Sequence, residues 1–237
     1  MQHQDRIRAE SPQHLTIRCA LTDVFVRDVQ VSAIFFYERK LDTDALARGL
    51  ARVLGDFAPF NARLRRRGLE HFIDCGDNGA SFSVRHSSRT LAETIAQLDV
   101  SNRSELVEVI DARGAWTTGA PVLAIRVTHF RDGTSALGVS EHHTAGDWSS
   151  VVALLKAWSR AVAGLDYEKP LLVDDRDEYL NHALPATDRV EPNLHYARLL
   201  ELSKFGAYML TKARDKRRLS LYFDSDELSR KLEAALG

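Results

Sequence analysis

Residues 121–164 change their period once, and that change constrains the fold more than any other feature of the chain. From Pro121 to Phe130, Val122, Ala124, Arg126 and Thr128 alternate with Leu123, Ile125, Val127 and His129, the two-residue period of a strand. Arg131-Asp132-Gly133 follows as a tight turn. Thr134 to His142 then returns as a second strand, and Asp-Gly between two apolar runs is a strong hairpin signal. From Ser149 the spacing becomes three and four, through Val151, Val152, Leu154, Leu155, Trp158 and Val162, as on the buried stripe of an amphipathic helix. Gly164 closes that helix. The stretch Ser140-Glu141-His142-His143-Thr144-Ala145-Gly146-Asp147-Trp148 therefore spans a strand-to-helix loop, where a side chain can project from a rigid frame into a cavity.

The residue types in that loop suit acyl transfer. Attack of an alcohol or amine on a thioester requires removal of the nucleophile's proton as the new bond forms, and a neutral imidazole suits that task. His143 is the candidate base. A buried, hydrogen-bonded structural histidine is the commoner fate of such a residue, so composition alone leaves both readings open. Asp147 either orients the loop through a salt bridge or hydrogen bond or caps the helix that follows, and the two roles are compatible. Consecutive residues of an extended chain point to opposite sides, which gives His142 and His143 different jobs. It also counts against a 2-His-1-carboxylate iron site made from them and Asp147; no metal is expected. Gly138-Val139-Ser140-Glu141-His142 begins like a nucleophile elbow but ends in His. No phosphate-binding or dinucleotide glycine fingerprint is present.

Elsewhere the pattern predicts strands at Leu21–Phe25, Val31–Tyr37, Arg63–Arg67, Leu69–Asp74 and Ser81–Arg85. Asp42 or Thr43 caps a helix with Leu46, Leu50, Val53 and Leu54 on one stripe, and Thr90–Leu98 and Asn193–Arg214 read as further helices. Phe35, Phe36 and Tyr37 belong with the core. Arg63, Arg65, Arg66 and Arg67 read as a solvated strand and turn. Asp166–Asp188, with two prolines and the run Asp174-Asp175-Arg176-Asp177-Glu178, reads as a mobile surface loop. Lys212, Arg214, Lys216, Arg217 and Arg218 complement a helix C-terminus. Strands and helices interleave without regular alternation, so the expected class is α+β, a mixed β-sheet covered by helices.

With 237 residues, 44% of them hydrophobic, the chain can bury a substantial core. Its 32 basic and 33 acidic residues leave a net charge of -1, so no global field favours nucleic acid or an anionic membrane. Cys19 and Cys75 lack any metal-ligand spacing and read as reduced, buried thiols of a cytoplasmic protein. No run approaches the roughly 18 apolar residues needed to cross a bilayer, and the first residues lack a signal-like apolar region.

His143-x-x-x-Asp147 resembles the HxxxD signature of the BAHD acyltransferases, in the chloramphenicol acetyltransferase-like superfamily. Other segments are similar in the same order. Ser32–Tyr37 resembles the first core strand, Leu46–Leu54 the next helix, and Phe57–Leu64 the "fP-laGRL" segment with Ala62 in place of Gly. Ala157-Trp158 matches the helix after the motif, Pro170–Leu180 with Asp175-Arg176 the "P-DR-L" loop, and Leu221–Leu232 the crossover segment. Two departures stand out. Trp148 replaces the usual Gly, giving up free access to positive φ, with Gly146 nearby to supply flexibility. Family members are also longer, with a second motif, DFGWG, that this sequence lacks.

The resemblance implies an N-terminal half, with residues 1–190 as the acyltransferase domain and 191–237 as a long helix and the start of a crossover to a C-terminal half of the same fold. It implies an acyl-CoA-dependent O- or N-acyltransferase, with acyl-CoA as co-substrate, no bound cofactor and a small-molecule alcohol or amine as acceptor. His143 is the base and Asp147 the orienting residue; His142, Gly146 and Trp148 support the loop. Oxyanion donors and much of the CoA site come from the other half in this family, so the isolated chain is expected to turn over weakly or not at all. The alternatives are a condensation-like transferase using carrier-bound thioesters and a non-catalytic half-domain that binds a partner.

Overall fold

The hairpin forms as its period predicts and becomes the centre of a mixed sheet. A computed structural model describes residues 3–68, 70–98 and 105–183; the expected helix 193–214, the crossover segment and the basic cluster from Lys212 lie outside them. The first strands and helices are β1 (His3–Ile7), β2 (Thr16–Arg18), α1 (Leu21–Phe25), β3 (Gln30–Tyr37) and α2 (Thr43–Leu54). A 3-10 turn, Ala58–Asn61, leads into β4 (Ala62–Arg67), β5 (Glu70–Cys75) and β6 (Ala80–His86). Two short helices, α3 (Leu91–Ala96) and α4 (Ala115–Thr118), precede β7 (Leu123–His129), β8 (Ser135–His142), α5 (Trp148–Val162) and α6 (Arg176–Ala183).

Five strands form one sheet in the order β1-β6-β7-β8-β3, with β6 and β7 parallel and every other pair antiparallel. A second, antiparallel sheet of three strands runs β2-β5-β4. The architecture is α+β with a mixed sheet, as the interleaved pattern predicts. At the β7–β8 turn Gly133 takes φ 81°, a region open to glycine, while the Asp132 carboxylate accepts from the Thr134 N–H at 3.2 Å.

Alternation along β8 sorts its side chains. Leu137 and Val139 join the main core beneath α5 and α2, whereas Ala136 belongs to a smaller cluster on the opposite face with Leu106 and Phe130. Asp42 caps α2 by accepting from the Asp44 and Ala45 N–H groups at 3.0 and 2.9 Å. The α5 helix crosses α2 where Trp158 donates its indole N–H to the Leu46 carbonyl at 2.8 Å. Burying Leu50, Val53, Leu54, Val151 and Leu154 in that layer anchors both helices to the sheet.

Three expectations are corrected. Leu21–Phe25 is a helical turn, because the Asp23 carboxylate folds back to accept the Ala20 N–H at 2.8 Å and so completes a local turn. Arg63 is not solvated: it is half-buried and donates to the carbonyls of Ala62, Asn78 and Gly79, and burial, with Arg6 and Arg8 nearby, lowers its guanidinium to about 10. The described part of the expected mobile loop, residues 166–183, is also tied down. Lys169 pairs with Asp56 at 3.0 Å, Tyr167 donates to Asp56 at 2.9 Å, and the Arg18 N–H bonds the Asp174 carbonyl at 3.1 Å.

Candidate active site

The sheet ladder runs past the formal end of β8 and carries the two histidines with it. The His142 N–H bonds Val122 O at 2.8 Å, on the β7 side, and the His143 N–H bonds Val29 O at 3.0 Å, on the β3 side. The loop thus begins with both neighbouring strands holding its backbone. The two rings face opposite sides of the sheet. His142 is sealed: its Nε2 bonds the Ala112 carbonyl at 3.0 Å and its Nδ1 accepts the Thr144 N–H at 3.3 Å. That pattern fits a neutral ring, and burial lowers its pKa. Trp116 packs edge-on against it, with ring centroids 5.8 Å apart.

His143 is half-exposed and lines a cavity of about 660 Å³. No hydrogen bond engages its ring among the described residues. The wall is mainly apolar, with Ile17, Val26, Phe57, Phe60, Ala153 and Leu171, and its volume is that of a small-molecule site. Because His142 turns away, the sequence trio His142, His143 and Asp147 is not assembled around one point. No group of three His, Cys, Asp or Glu side chains suited to a metal ion occurs among the described residues.

Asp147 caps α5. A single oxygen, Oδ1, accepts from the Ser150 N–H at 2.8 Å and from the hydroxyls of Ser149 and Ser150 at 2.7 and 2.8 Å. Those bonds, the Ser149 hydroxyl first, hold its carboxyl below the usual range. Asp147 forms no ion pair among the described residues, so it acts on the loop by fixing where the helix starts. Trp148 is the first helical residue, half-exposed, and no non-glycine residue described has positive φ. The usual glycine is therefore not needed there for its conformational range. Gly146 matters for a different reason: a Cβ on it would lie 2.8 Å from Phe60 Cζ and 2.8 Å from Ser150 Cβ. Close packing, rather than flexibility, fixes this position.

Two further residues, neither assigned a role at the site from sequence, complete the surroundings. Arg176, from the start of α6, reaches back 153 positions to pair with Asp23 at 2.8 Å, and it donates to the carbonyls of Thr144 and Ala145 at 3.3 and 3.4 Å. The Thr144 hydroxyl in turn donates to Asp23 O at 3.2 Å. Arg176 thus clamps the turn after His143 from outside the sheet. Its only sequence signal is the Asp175-Arg176 pair, which does not reveal the partner. Glu141, on β8, is fully buried although charged residues are rarely found so deep unpaired. Cys19 and Cys75 are free and buried, their thiols pushed up to about 12 chiefly by burial.

With this geometry in place, comparison with known proteins is decisive on kinship. A model described as the Transferase family matches residues 3–222. The chain belongs to this family, the BAHD acyltransferases. Within the family it is similar to anthranilate N-benzoyltransferase protein 2 of Dianthus caryophyllus, 30% identical over 158 residues that cover 65% of this chain and 33% of the relative. Among solved structures it resembles vinorine synthase, with a TM-score of 0.58 and 23% identity over 74% of this chain and 46% of that one. It also resembles F. graminearum TRI101 complexed with coenzyme A and T-2 mycotoxin, with a TM-score of 0.56 and 13% identity over 69% of this chain and 44% of that one. The fold of this BAHD chain is accordingly the chloramphenicol acetyltransferase-like one. It spans about a third of the length of the curated relatives it matches.

Proposed function

We propose that this chain supplies the imidazole side of an acyl-CoA-dependent O- or N-acyltransferase. The observation that carries the reading is the His143 ring, unengaged at the wall of an apolar cavity while its backbone N–H is held by Val29 O and that of His142 by Val122 O. His143 takes the proton from an acceptor hydroxyl or amine as that atom attacks the thioester carbonyl. The new C–O or C–N bond forms, the C–S bond breaks, and the proton passes from the imidazolium to the departing sulfur, giving the free thiol of CoA. Asp147 fixes the helix start and Arg176 the turn, so the ring holds its position through both proton transfers.

Several features support this reading. The cavity's apolar wall suits an uncharged acyl group or acceptor body. Relatives named for benzoyl and hydroxycinnamoyl transfer, and a related fold solved with coenzyme A, point to the same donor class. Residues 1–190 then form the half that holds the base, and a C-terminal half of the same fold supplies the remaining wall and the oxyanion donors.

The experiment is a free-thiol assay with benzoyl-CoA or hydroxycinnamoyl-CoA and a panel of alcohols and amines, run on this chain alone and joined to a C-terminal half of the same fold. The chain alone is expected to be weak or inert, and the joined protein active. H143A should lower kcat of the active form by about a hundredfold or more, with thermal stability retained. Undiminished turnover by H143A would overturn the assignment.

A further inference from the structure

A second cavity opens at the far end of β8 from His143. It holds about 380 Å³ and lies between the edge strand β3, the first turn of α2 and the second half of α5. Phe35, Tyr37, Leu41, Leu137, Leu155 and Trp158 give it an apolar wall, and none of its lining residues also lines the His143 cavity. Leu137 precedes His143 along β8 and its extension by about 20 Å of strand, so the two cavities are separate sites.

The walls are fixed by the fold. The helices α2 and α5 meet at Gly49, where an added Cβ would lie 2.5 Å from Val162 Cγ2 and 3.3 Å from Trp158 Cδ1. One turn earlier on α2, the Leu46 carbonyl accepts the Trp158 indole N–H at 2.8 Å and pins the ring that forms the inner wall. Alternation along β3 turns Phe35 and Tyr37 toward the helices, while Ile34 and Phe36 pack on the opposite face. A ligand entering this space would meet side chains already in place, which removes part of the ordering cost of binding.

The mouth of the cavity carries an excess of positive charge. Arg39 and Lys40 sit in the short connection from β3 to α2, which is held where the Leu41 N–H bonds Ser135 Oγ at 3.1 Å and where Asp42 caps the helix. Both cations are exposed and neither forms an ion pair among the described residues. The carboxylate beside them, Asp42, directs Oδ1 to the Asp44 and Ala45 N–H groups and pairs with neither cation. The Tyr37 hydroxyl also has no hydrogen-bond partner among the described residues. An apolar cavity with a few convergent polar groups is the usual form of a small-molecule site.

We infer that this cavity is a second binding site, for a small apolar carboxylate whose body lies against Phe35, Leu155 and Trp158 and whose carboxylate meets Arg39 and Lys40 at the mouth. Two cations beside one carboxylate leave a single positive charge, which a monoanion neutralises. The Arg39 guanidinium presents a planar fork that matches a carboxylate, and the Tyr37 hydroxyl supplies a further donor. A neutral head group gains only the apolar burial, and a cationic one is repelled.

The test is a titration of the full chain with octanoate, octanol and octylamine, followed at the assigned indole N–H signals of Trp148 and Trp158 in NMR spectra. Octanoate should move the Trp158 signal saturably, with octanol about tenfold weaker and octylamine weaker still. R39A/K40A should lower the octanoate affinity about tenfold, to that of octanol, and leave octanol binding unchanged. A45F, which places a ring in the cavity from α2, should abolish the Trp158 shift for both ligands; R39A/K40A, at two exposed positions, decides the matter by itself if A45F fails to fold. Equal affinity for octanol and octanoate, an unchanged octanoate affinity in R39A/K40A, a Trp158 shift that survives in folded A45F, or a shift confined to Trp148 at the His143 cavity would each overturn the proposal.

Discussion

Along β8 the two faces of the five-stranded sheet treat their polar groups differently, although away from α5 the buried Thr128 hydroxyl of β7 also lacks a hydrogen-bond partner among the described residues. On the face away from α5, Arg126 donates Nε–H to the Ser83 hydroxyl at 3.2 Å, donates to the Val107 carbonyl and pairs with Glu108 at 3.8 Å. Ser81 and Ser83 donate to the same Glu108 carboxylate at 2.5 and 3.1 Å, and His142 has a partner for each nitrogen. Toward α5, by contrast, the last two side chains carried by β8 and its extension, Glu141 and His143, have no hydrogen-bond partner among the described residues. One strand therefore serves two purposes, turning its closed network to one side and its open groups to the other. Polar groups satisfied within the fold lock it, whereas those left unsatisfied remain available for chemistry.

That contrast can be broken by mutation, and the largest effect is expected on the closed face. R126M removes the Arg126 guanidinium from the Glu108 carboxylate and should cost about 3 kcal/mol in a denaturant titration, as expected when one partner of a largely buried pair is removed. A loss no larger than that of an exposed surface substitution would erase the distinction between the faces. G146A tests whether the open face is nonetheless tightly built. With Phe60 and Ser150 both 2.8 Å from the added methyl, the variant should lose about 2 kcal/mol through overpacking, read from thermal melts. An unchanged melting temperature would mean that the loop yields easily. D147A should cost only about 1 kcal/mol, the typical worth of a helix cap, and D147N should restore most of it. The sign with pH follows from the lowered carboxyl: its stabilisation is complete above the ordinary carboxylate range and is lost as pH falls through the lowered value. D147N should therefore flatten the acid side of the stability profile, and an unaltered profile would remove Asp147 as its source.

Much of the frame was legible in the sequence because it depends on local order. The β7–β8 hairpin follows from alternation and Asp-Gly, α2 from Asp42 and its leucine stripe, and α5 from the change of period after Ser149. Phe35 and Tyr37 pack against the main core as their aromatic character suggested. What the sequence hid depends on distant partners. The Leu21–Phe25 segment has the composition of a strand but turns because of the Asp23 carboxylate, which Arg176 then holds from far along the chain. Strands β1 and β2 carry no strong alternation and gain their order from pairing with β6 and β5. At the site, the opposed directions of His142 and His143 follow from strand geometry alone. The burial of Glu141 does not, since a charged residue in an alternating strand ordinarily marks the wet face.

The bond from the His143 N–H to Val29 O has a consequence for engineering this scaffold. It gives a loop side chain the mechanical footing of a strand, because the ring cannot shift along the chain axis unless β3 slides as well. Changes intended to retune the cavity are therefore better made in Phe57, Ala153 or Leu171, which can vary while the imidazole keeps its anchorage. Edits at residues 29–31, though remote in sequence from the motif, would be transmitted directly to the ring.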